Sequence, residues 1–297
     1  MTASRRNTLA FASLVAVAIA WGASFVLMKP AIEQQPIFDF LATRFTIAPM
    51  FMLLIRPGTI RKINPRLLWQ GSVAGVFLGL GYVTQTIGLH SSTAAITGFF
   101  TGLYVILTPI LAWFFYRHRP NFKVAVGTVL ATVGLGILSA SAIAWGWGEA
   151  SLLACALLFA LHIVVLGRWS PNHDVYALTV VQLAVVGIIN WIGAGSGGYQ
   201  APPNATVWFA VLFTAVFATA LAFLVQTWAQ SIIDASRVAI VLTSEVVFAA
   251  VISVVVGQEV LAPQTIVGGA IMLVAMLVAE WPGRRPDAIV PLEPMAH

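Results

Sequence analysis

The chain has 297 residues, of which 60% are hydrophobic and only 8% charged, with a mean hydropathy of +0.94 and a formal net charge of +5. Soluble domains carry about 25% charged residues. So few charges exclude a water-soluble surface, and with it a soluble enzyme or a nucleic-acid-binding domain; the composition is that of an all-α polytopic membrane protein in a lipid bilayer.

A membrane span needs roughly 20 mostly apolar residues. Ten segments meet this in chain order: 9–28, 38–55, 68–88, 94–115, 123–142, 149–167, 176–194, 206–227, 238–256 and 263–281. The first follows Arg5-Arg6 as a signal peptide would, but a cleaved signal has a shorter apolar core, about 7–15 residues, so it is read as a span. The links are short. The longest, GAGSGGYQAPPNAT (193–206), is a Gly/Pro loop, which leaves no room for a soluble domain. The tail 284–297 is Pro-rich and reads as disordered.

With the N-terminus in the cytoplasm, 13 of the 15 Lys and Arg fall in cytoplasmic segments, from Arg5 and Arg6 through Arg56, Arg61, Lys62 and Arg66 to Arg284 and Arg285. Only Lys29 lies in an outer link, and Arg44 lies within a span. By the positive-inside rule both termini are cytoplasmic. The net positive charge therefore reports orientation rather than a nucleic-acid partner.

The third and eighth spans carry the same polar pair. Gln85-Thr86 in YVTQTIGL is followed 141 residues later by Gln226-Thr227 in FLVQTWAQ. At the same shift Gly88 falls on Ala229, Ala94 on Ala235, Gly127 on Gly268, His118 on Glu259, Trp21 on His162 and Tyr104 on Glu245. Each half then holds five spans. Five is odd, so the second copy enters the membrane upside down: two inverted five-helix repeats, residues 1–142 and 143–283, an architecture common among secondary transporters.

Several stretches resemble the EamA family of the drug/metabolite transporter superfamily. They are WGASF (21–25), TAAITGFFTGLYVILTPIL (93–111), YRHRPNFKVAVG (116–127) and AQSIIDASRVAIVLTSEVVFAAVISVVVGQE (229–259). The resemblance covers nearly the whole chain. It implies a ten-helix carrier in the bacterial inner membrane that exports small metabolites, often amino acids. The chain departs from the family at Glu245-Val246, where Glu-Pro is frequent, and at His118, where Glu is frequent.

Polar residues inside spans are candidates for function, because an ionisable side chain there costs at least about 2.5–3.5 kcal/mol on insertion scales. Arg44 in span two and Glu245 in span nine stand out, at depths that differ by roughly 8 Å on a 1.5 Å rise per residue. That gap suits a zwitterion, and equally a direct or water-mediated pairing; Arg44 could instead snorkel outward. Span four carries a stripe of Thr97, Thr101, Tyr104 and Thr108 on one face; the threonines are read as bonding their own helix carbonyls, Tyr104 as facing a cavity. Gln85 and Gln226, with Tyr82 and Gln230 one turn away, either touch substrate or tie helices together. Trp21 and His162 are repeat mates near mid-span. The candidate substrate-binding set is therefore Trp21, Arg44, Tyr82, Gln85, Tyr104, His162, Gln226 and Glu245.

Small residues read as packing: Gly71, Gly75 and Gly79, then Gly98 and Gly102, at four-residue spacing. Gly127, Ala131, Gly134, Gly268 and Ala275 suit a scaffold inside the chain or a homodimer face. Pro109 is a candidate kink in span four. Cys155 stands alone, so no intrachain disulfide forms, and the five His are scattered, so no metal or other cofactor is expected. Walker, HExxH and GxSxG motifs are absent. The expectation is a non-enzymatic secondary carrier for a small molecule, with the proton as candidate coupling ion; a channel or scramblase-like protein without a coupled cycle is the alternative.

Overall fold

In a bilayer every backbone polar group must be satisfied inside the protein, so an apolar chain of this kind has helices as its available element. The structure, a computed structural model, describes residues 3–92, 94–117, 120–138, 146–195, 197–257 and 263–280. The tail 284–297, the junction between the two halves and the pair His118/Glu259 lie outside the described residues.

Thirteen α-helices run in order: α1 (Ala3–Ile32), α2 (Ile37–Ile55), α3 (Pro65–Ser91), α4 (Ala94–Gly102), α5 (Tyr104–Tyr116), α6 (Phe122–Leu138), α7 (Trp147–Trp169), α8 (Val175–Gly195), α9 (Ala205–Ala215), α10 (Ala222–Gln230), α11 (Ala235–Leu242), α12 (Glu245–Val255) and α13 (Pro263–Glu280). Three of the apolar segments are interrupted rather than straight. A single turn at Leu103 separates α4 from α5, and Thr243-Ser244 separate α11 from α12. A π-helical segment, Val216–Leu221, joins α9 to α10. Counting interrupted helices as one crossing each, eight are long and apolar enough to span a membrane among the described residues. The sequence predicts ten spans; the fifth and tenth correspond to α6 and α13, whose apolar cores are shorter, Phe122–Ile137 and Ile266–Ala279. Residues just beyond both helices lie outside the description.

Helix starts are set locally. Asn64, Asn121, Asp174 and Asn204 each accept a hydrogen bond from the backbone N–H three residues on, and Asp234 from Ser236, satisfying donors that a helix start leaves orphaned. All five lie in the links between apolar segments.

Packing follows the small residues. A Cβ on Gly75 would sit 2.7 Å from the Gln182 carbonyl, and one on Gly79 would meet Ile189, so α3 lies closely on α8. Gly81 and Gly88 receive Phe159 and Leu152 of α7. Gly134 faces the Gly268 carbonyl at 2.7 Å and Gly127 faces the Ala275 carbonyl at 3.1 Å, which closes α6 on α13 within one chain. Gly22 meets the backbone of Glu245, Phe248 and Ala249, bringing α1 onto the start of α12. The contacts form matched sets: α3 packs on α7 and α8, while α9 and α10 pack on α1 and α2; α1 packs on α11 and α12, while α7 packs on α4 and α5.

The expected kink at Pro109 is not where span four breaks. Pro109 lies inside α5, and the interruption is six residues earlier, at Leu103. Conversely, span nine breaks just before Glu245 although Val246, not Pro, follows it.

Basic residues gather at one end of the bundle. Lys62 pairs with Asp174, Arg56 lies over Tyr176, and Arg168 over Tyr116. His173 bonds Gln70 there; burial and the neighbouring Arg66 cation hold its imidazole below the usual range. At the other end Lys29 donates to the carbonyls of Leu89, His90 and Ser92, fastening α1 to the end of α3. Glu149 of α7 accepts from Ser92, and the Gly/Pro loop is latched by Asp39 accepting from the Gln200 N–H.

Replacing Gly75 by Leu is expected to destabilise the protein by roughly 1–3 kcal/mol through overpacking. Gly136, whose added Cβ would meet nothing within 4 Å, is the control: Gly136→Ala is expected to leave the thermal unfolding midpoint of the detergent-purified protein unchanged or raised.

Candidate functional site

The two helix breaks lie 141 residues apart, so that α5 begins at Tyr104 and α12 at Glu245. The two residues meet: the Tyr104 hydroxyl donates toward Glu245 Oε1 at 3.5 Å.

Around this contact lies a narrow cavity. Six helices wall it: α1 (Trp21, Ser24, Phe25, Met28), α3 (Leu78, Tyr82, Gln85), α5 (Tyr104), α7 (Phe159, His162, Ile163), α10 (Phe223, Gln226) and α12 (Glu245). Seven of the eight residues singled out from sequence are on this wall. Four pairs related by the 141-residue shift face it together: Trp21 and His162, Tyr82 and Phe223, Gln85 and Gln226, Tyr104 and Glu245. Tyr82, Gln85, Tyr104, His162, Gln226 and Glu245 are all buried on this wall.

Arg44, the eighth, stands one layer behind. Its Nε donates to Thr219 Oγ1 at 2.7 Å, Nη1 to Met28 Sδ at 3.1 Å, and Nη2 to the Ala218 carbonyl at 3.3 Å and the Tyr82 hydroxyl at 3.5 Å. The guanidinium also lies 4.9 Å from the Tyr82 ring centre. Its partners are neutral. A buried charge needs such a set, since leaving it unpaired is prohibitive. The expected facing of Arg44 and Glu245 across a gap is not what the structure has: Tyr82 and Met28 come between the guanidinium and the cavity.

The π segment explains the arrangement. Widening the helix from i+4 to i+5 bonding frees backbone acceptors, a feature frequent at functional sites. Here the Ala218 carbonyl accepts from the Trp21 indole at 2.9 Å as well as from Arg44. Thr219 and Ala218 are thus site residues that sequence reasoning missed. A π segment has no local composition signal, although Thr219 sits 141 residues after Leu78 on the cavity wall.

Hydrogen-bond directions are determined by the chain of partners. The Thr227 hydroxyl donates to the Phe223 carbonyl at 2.7 Å, so it accepts from Gln182 Nε2 at 3.0 Å. Gln182 Oε1 must then accept from His162 Nε2 at 2.7 Å. His162 therefore carries its proton on Nε2, and in the neutral ring Nδ1 is an acceptor. Similarly, Gln230 Nε2 donates to the Ile163 carbonyl at 2.7 Å, so its Oε1 accepts from Gln226 Nε2 at 3.1 Å. That fixes the Gln226 amide and leaves its Oε1 buried without a partner. Gln85 donates to Thr101 at 3.4 Å. In both polar pairs the threonine bonds the carbonyl four residues back, Thr86 to Tyr82 and Thr227 to Phe223, and the glutamine faces the cavity. Thr108 bonds the Tyr104 carbonyl in the same way, and Thr97 and Thr101 are buried off the wall.

Phe223 is the central ring of the wall, with centroids 5.4 Å from Trp21, 6.0 Å from Tyr82 and 6.0 Å from His162. Phe159 meets Tyr82 at 5.4 Å. Neither phenylalanine stands out in an apolar sequence, although Phe223 lies 141 residues after Tyr82. A second recess opens at the basic end, lined by Tyr116, Val164, Gly167, Arg168 and Asp234 among others. Ile163 faces the cavity and Val164 the recess, so the Gln230 bond to Ile163 sits at the junction between them.

A polar, aromatic cavity enclosed by apolar helices that cross a membrane defines a multi-pass membrane protein with an internal site. The chain belongs to the EamA-like transporter family, whose profile matches residues 8–140 and again 146–280. It is a membrane transporter by that membership. It is 33% identical over 265 residues to an uncharacterized transporter of Archaeoglobus fulgidus, covering 89% of this chain and 83% of that protein. It is 25% identical to the uncharacterized transporter YvbV of Bacillus subtilis, covering 79% and 78%. A solved crystal structure superposes with a TM-score of 0.76 at 16% identity, over 92% of this chain and 96% of the other, and so shares the fold.

Thr219→Val keeps the shape but removes the acceptor of Arg44 Nε. It is expected to lower stability by about 1–3 kcal/mol, as for a buried donor left unmet, with Thr219→Ser restoring it; thermal unfolding of the purified variants checks this.

Proposed function

We propose that the protein is a secondary carrier that exports small metabolites across the bacterial inner membrane by alternating access. The observation that carries the reading is the convergence of four pairs of residues, each related by the 141-residue shift, on one cavity at the restart points of two broken helices. Broken helices around a central site are the arrangement by which many secondary transporters bind their cargo.

Two inverted repeats of five spans, ten in all, with both termini cytoplasmic, agree with this reading. The contact sets exchange under the same shift, since α3 on α7 and α8 corresponds to α9 and α10 on α1 and α2. The family profile matches once in each half. The end that gathers Arg56, Lys62, Arg66 and Arg168 is the cytoplasmic one under the positive-inside rule. The recess at that end is then the route by which cargo reaches the cavity, and the Lys29 and Glu149 contacts close the outer side. Rocking of the α1–α12 and α7–α4/α5 contacts exchanges the two openings.

Glu245 is the one carboxyl group on the wall among the described residues. A proton and a cargo that bears positive charge compete for it. The inward proton gradient of a bacterial inner membrane then drives export.

In proteoliposomes, saturable counterflow of the cargo is expected; flux that rises linearly without saturating is the signature of a channel and would sink the carrier reading. Glu245→Gln and Arg44→Ala are each expected to abolish transport while the protein is still produced and inserted, the first by removing the carboxylate, the second by releasing Tyr82 and the π segment. Wild-type transport by both would refute the cavity assignment.

A further inference from the structure

The chemistry of the cavity wall selects among cargoes, and this selection rests on the carrier reading above. We infer that the site recognises a protonated amine on an apolar or aromatic body, through Glu245 and the unpartnered Gln226 Oε1, and makes no provision for a carboxylate.

The hydrogen-bonding capacity of the wall is lopsided. Its acceptors are the Glu245 carboxylate, the Gln226 amide oxygen and the Nδ1 of neutral His162. The Gln226 oxygen is held in place by the chain from Gln226 to Gln230 to the Ile163 carbonyl, so the amide cannot turn over without breaking its hydrogen bond to Gln230 and setting two amide oxygens against each other. A buried acceptor with no partner costs stability, and an N–H donor brought by a ligand removes that cost.

Among the described residues the charged donors are absent and most neutral ones are spent elsewhere. The neutral donors left on the wall are the Tyr82 hydroxyl, which accepts from Arg44, and the Gln85 amide, which donates to Thr101. Trp21 Nε1 donates to the Ala218 carbonyl, Ser24 Oγ to the Trp21 carbonyl, and the Tyr104 hydroxyl toward Glu245. No Lys or Arg lines the cavity among the described residues. Arg44 has Nε, Nη1 and Nη2 committed behind Tyr82 and Met28. The start of α12 offers an anion little either. The N–H groups of Val246, Val247 and Phe248 already donate to the Thr243 and Ser244 carbonyls. A carboxylate placed here would meet Glu245 and find no cation.

The rest of the wall suits a cation with an apolar body. Trp21, Tyr82, Phe159 and Phe223 present ring faces or edges around the same space. Aromatic rings attract a cation through their quadrupole and an apolar group by burial.

Four probes separate the groups involved: 2-phenylethylamine, its N,N,N-trimethyl analogue, phenylalanine and 3-phenylpropionate. Binding to the full-length protein in detergent is measured by calorimetry, and counterflow in proteoliposomes. The two cations are expected to bind at least tenfold more tightly than phenylalanine, with 3-phenylpropionate weakest. Glu245→Gln weakens both cations. Gln226→Leu weakens 2-phenylethylamine by roughly tenfold, the scale of a hydrogen bond to a charged group, but leaves the trimethyl analogue, which has no N–H, within twofold of wild type. A merely structural role of Gln226 would weaken both cations alike, and that result overturns the assignment. So does binding of phenylalanine or 3-phenylpropionate as tightly as the amine, or binding of none of the four. If the zwitterion or anion is preferred and its counterflow is lost in Glu245→Gln, the amine assignment fails and the carrier reading stands. If the amine binds as expected but shows no counterflow, the assignment stands and the carrier reading fails.

Discussion

The structure depends on one constraint: a polar group inside an apolar bundle must find its partner within the protein. Straight helices meet it automatically. This chain interrupts three of its apolar segments, and each interruption creates demands that named side chains meet. The π segment frees the Ala218 carbonyl, which Trp21 and Arg44 satisfy. Arg44 in turn brings a charge into the interior, and Thr219, Met28 and Tyr82 complete its shell. The break at Ser244 starts a new helix at Glu245 and turns its carboxylate toward Tyr104. The cavity exists because these demands converge on the same place.

Close helix approach is the second requirement, and glycine supplies it. Gly22 is the clearest case. It lies next to Trp21 on the wall, and its missing side chain lets α1 touch the backbone of Glu245 and Ala249. The same five-residue stretch, WGASF, therefore contributes three wall residues, Trp21, Ser24 and Phe25, and, at Gly22, the contact that holds the wall together. The α6–α13 pair lies apart from the cavity and provides no wall residue, which fits a supporting role.

The site was legible to an unusual extent because the chain carries its own internal comparison. Gln85 read alone is a polar residue in an apolar run. Its echo at Gln226 fixed a shift, and the shift paired Trp21 with His162 and Tyr104 with Glu245, all of which face the cavity. The shift did not mark Phe159, Phe25 or Met28, since an apolar wall residue is indistinguishable by type from any other in a chain that is 60% hydrophobic. Nor could it separate Gln226 from Gln230, one facing the cavity and the other fixing its neighbour's amide. Pro109 drew attention away from Leu103, because a proline is visible in sequence and a helix break made by packing is not.

The sequence by itself determined that the chain is an apolar, multi-helix membrane protein, where its segments begin, and which polar residues are too costly to lie in lipid. Those properties follow from composition, hydropathy and spacing, which are local. Only the tertiary structure decided that Arg44 supports the wall rather than forming it, that span eight widens at Val216–Leu221, and that the Gln226 amide oxygen is left without a partner. Those are decided by which groups meet after folding, since a hydrogen bond used up by a neighbour 175 residues away, as between Arg44 and Thr219, leaves no mark on the sequence near either partner.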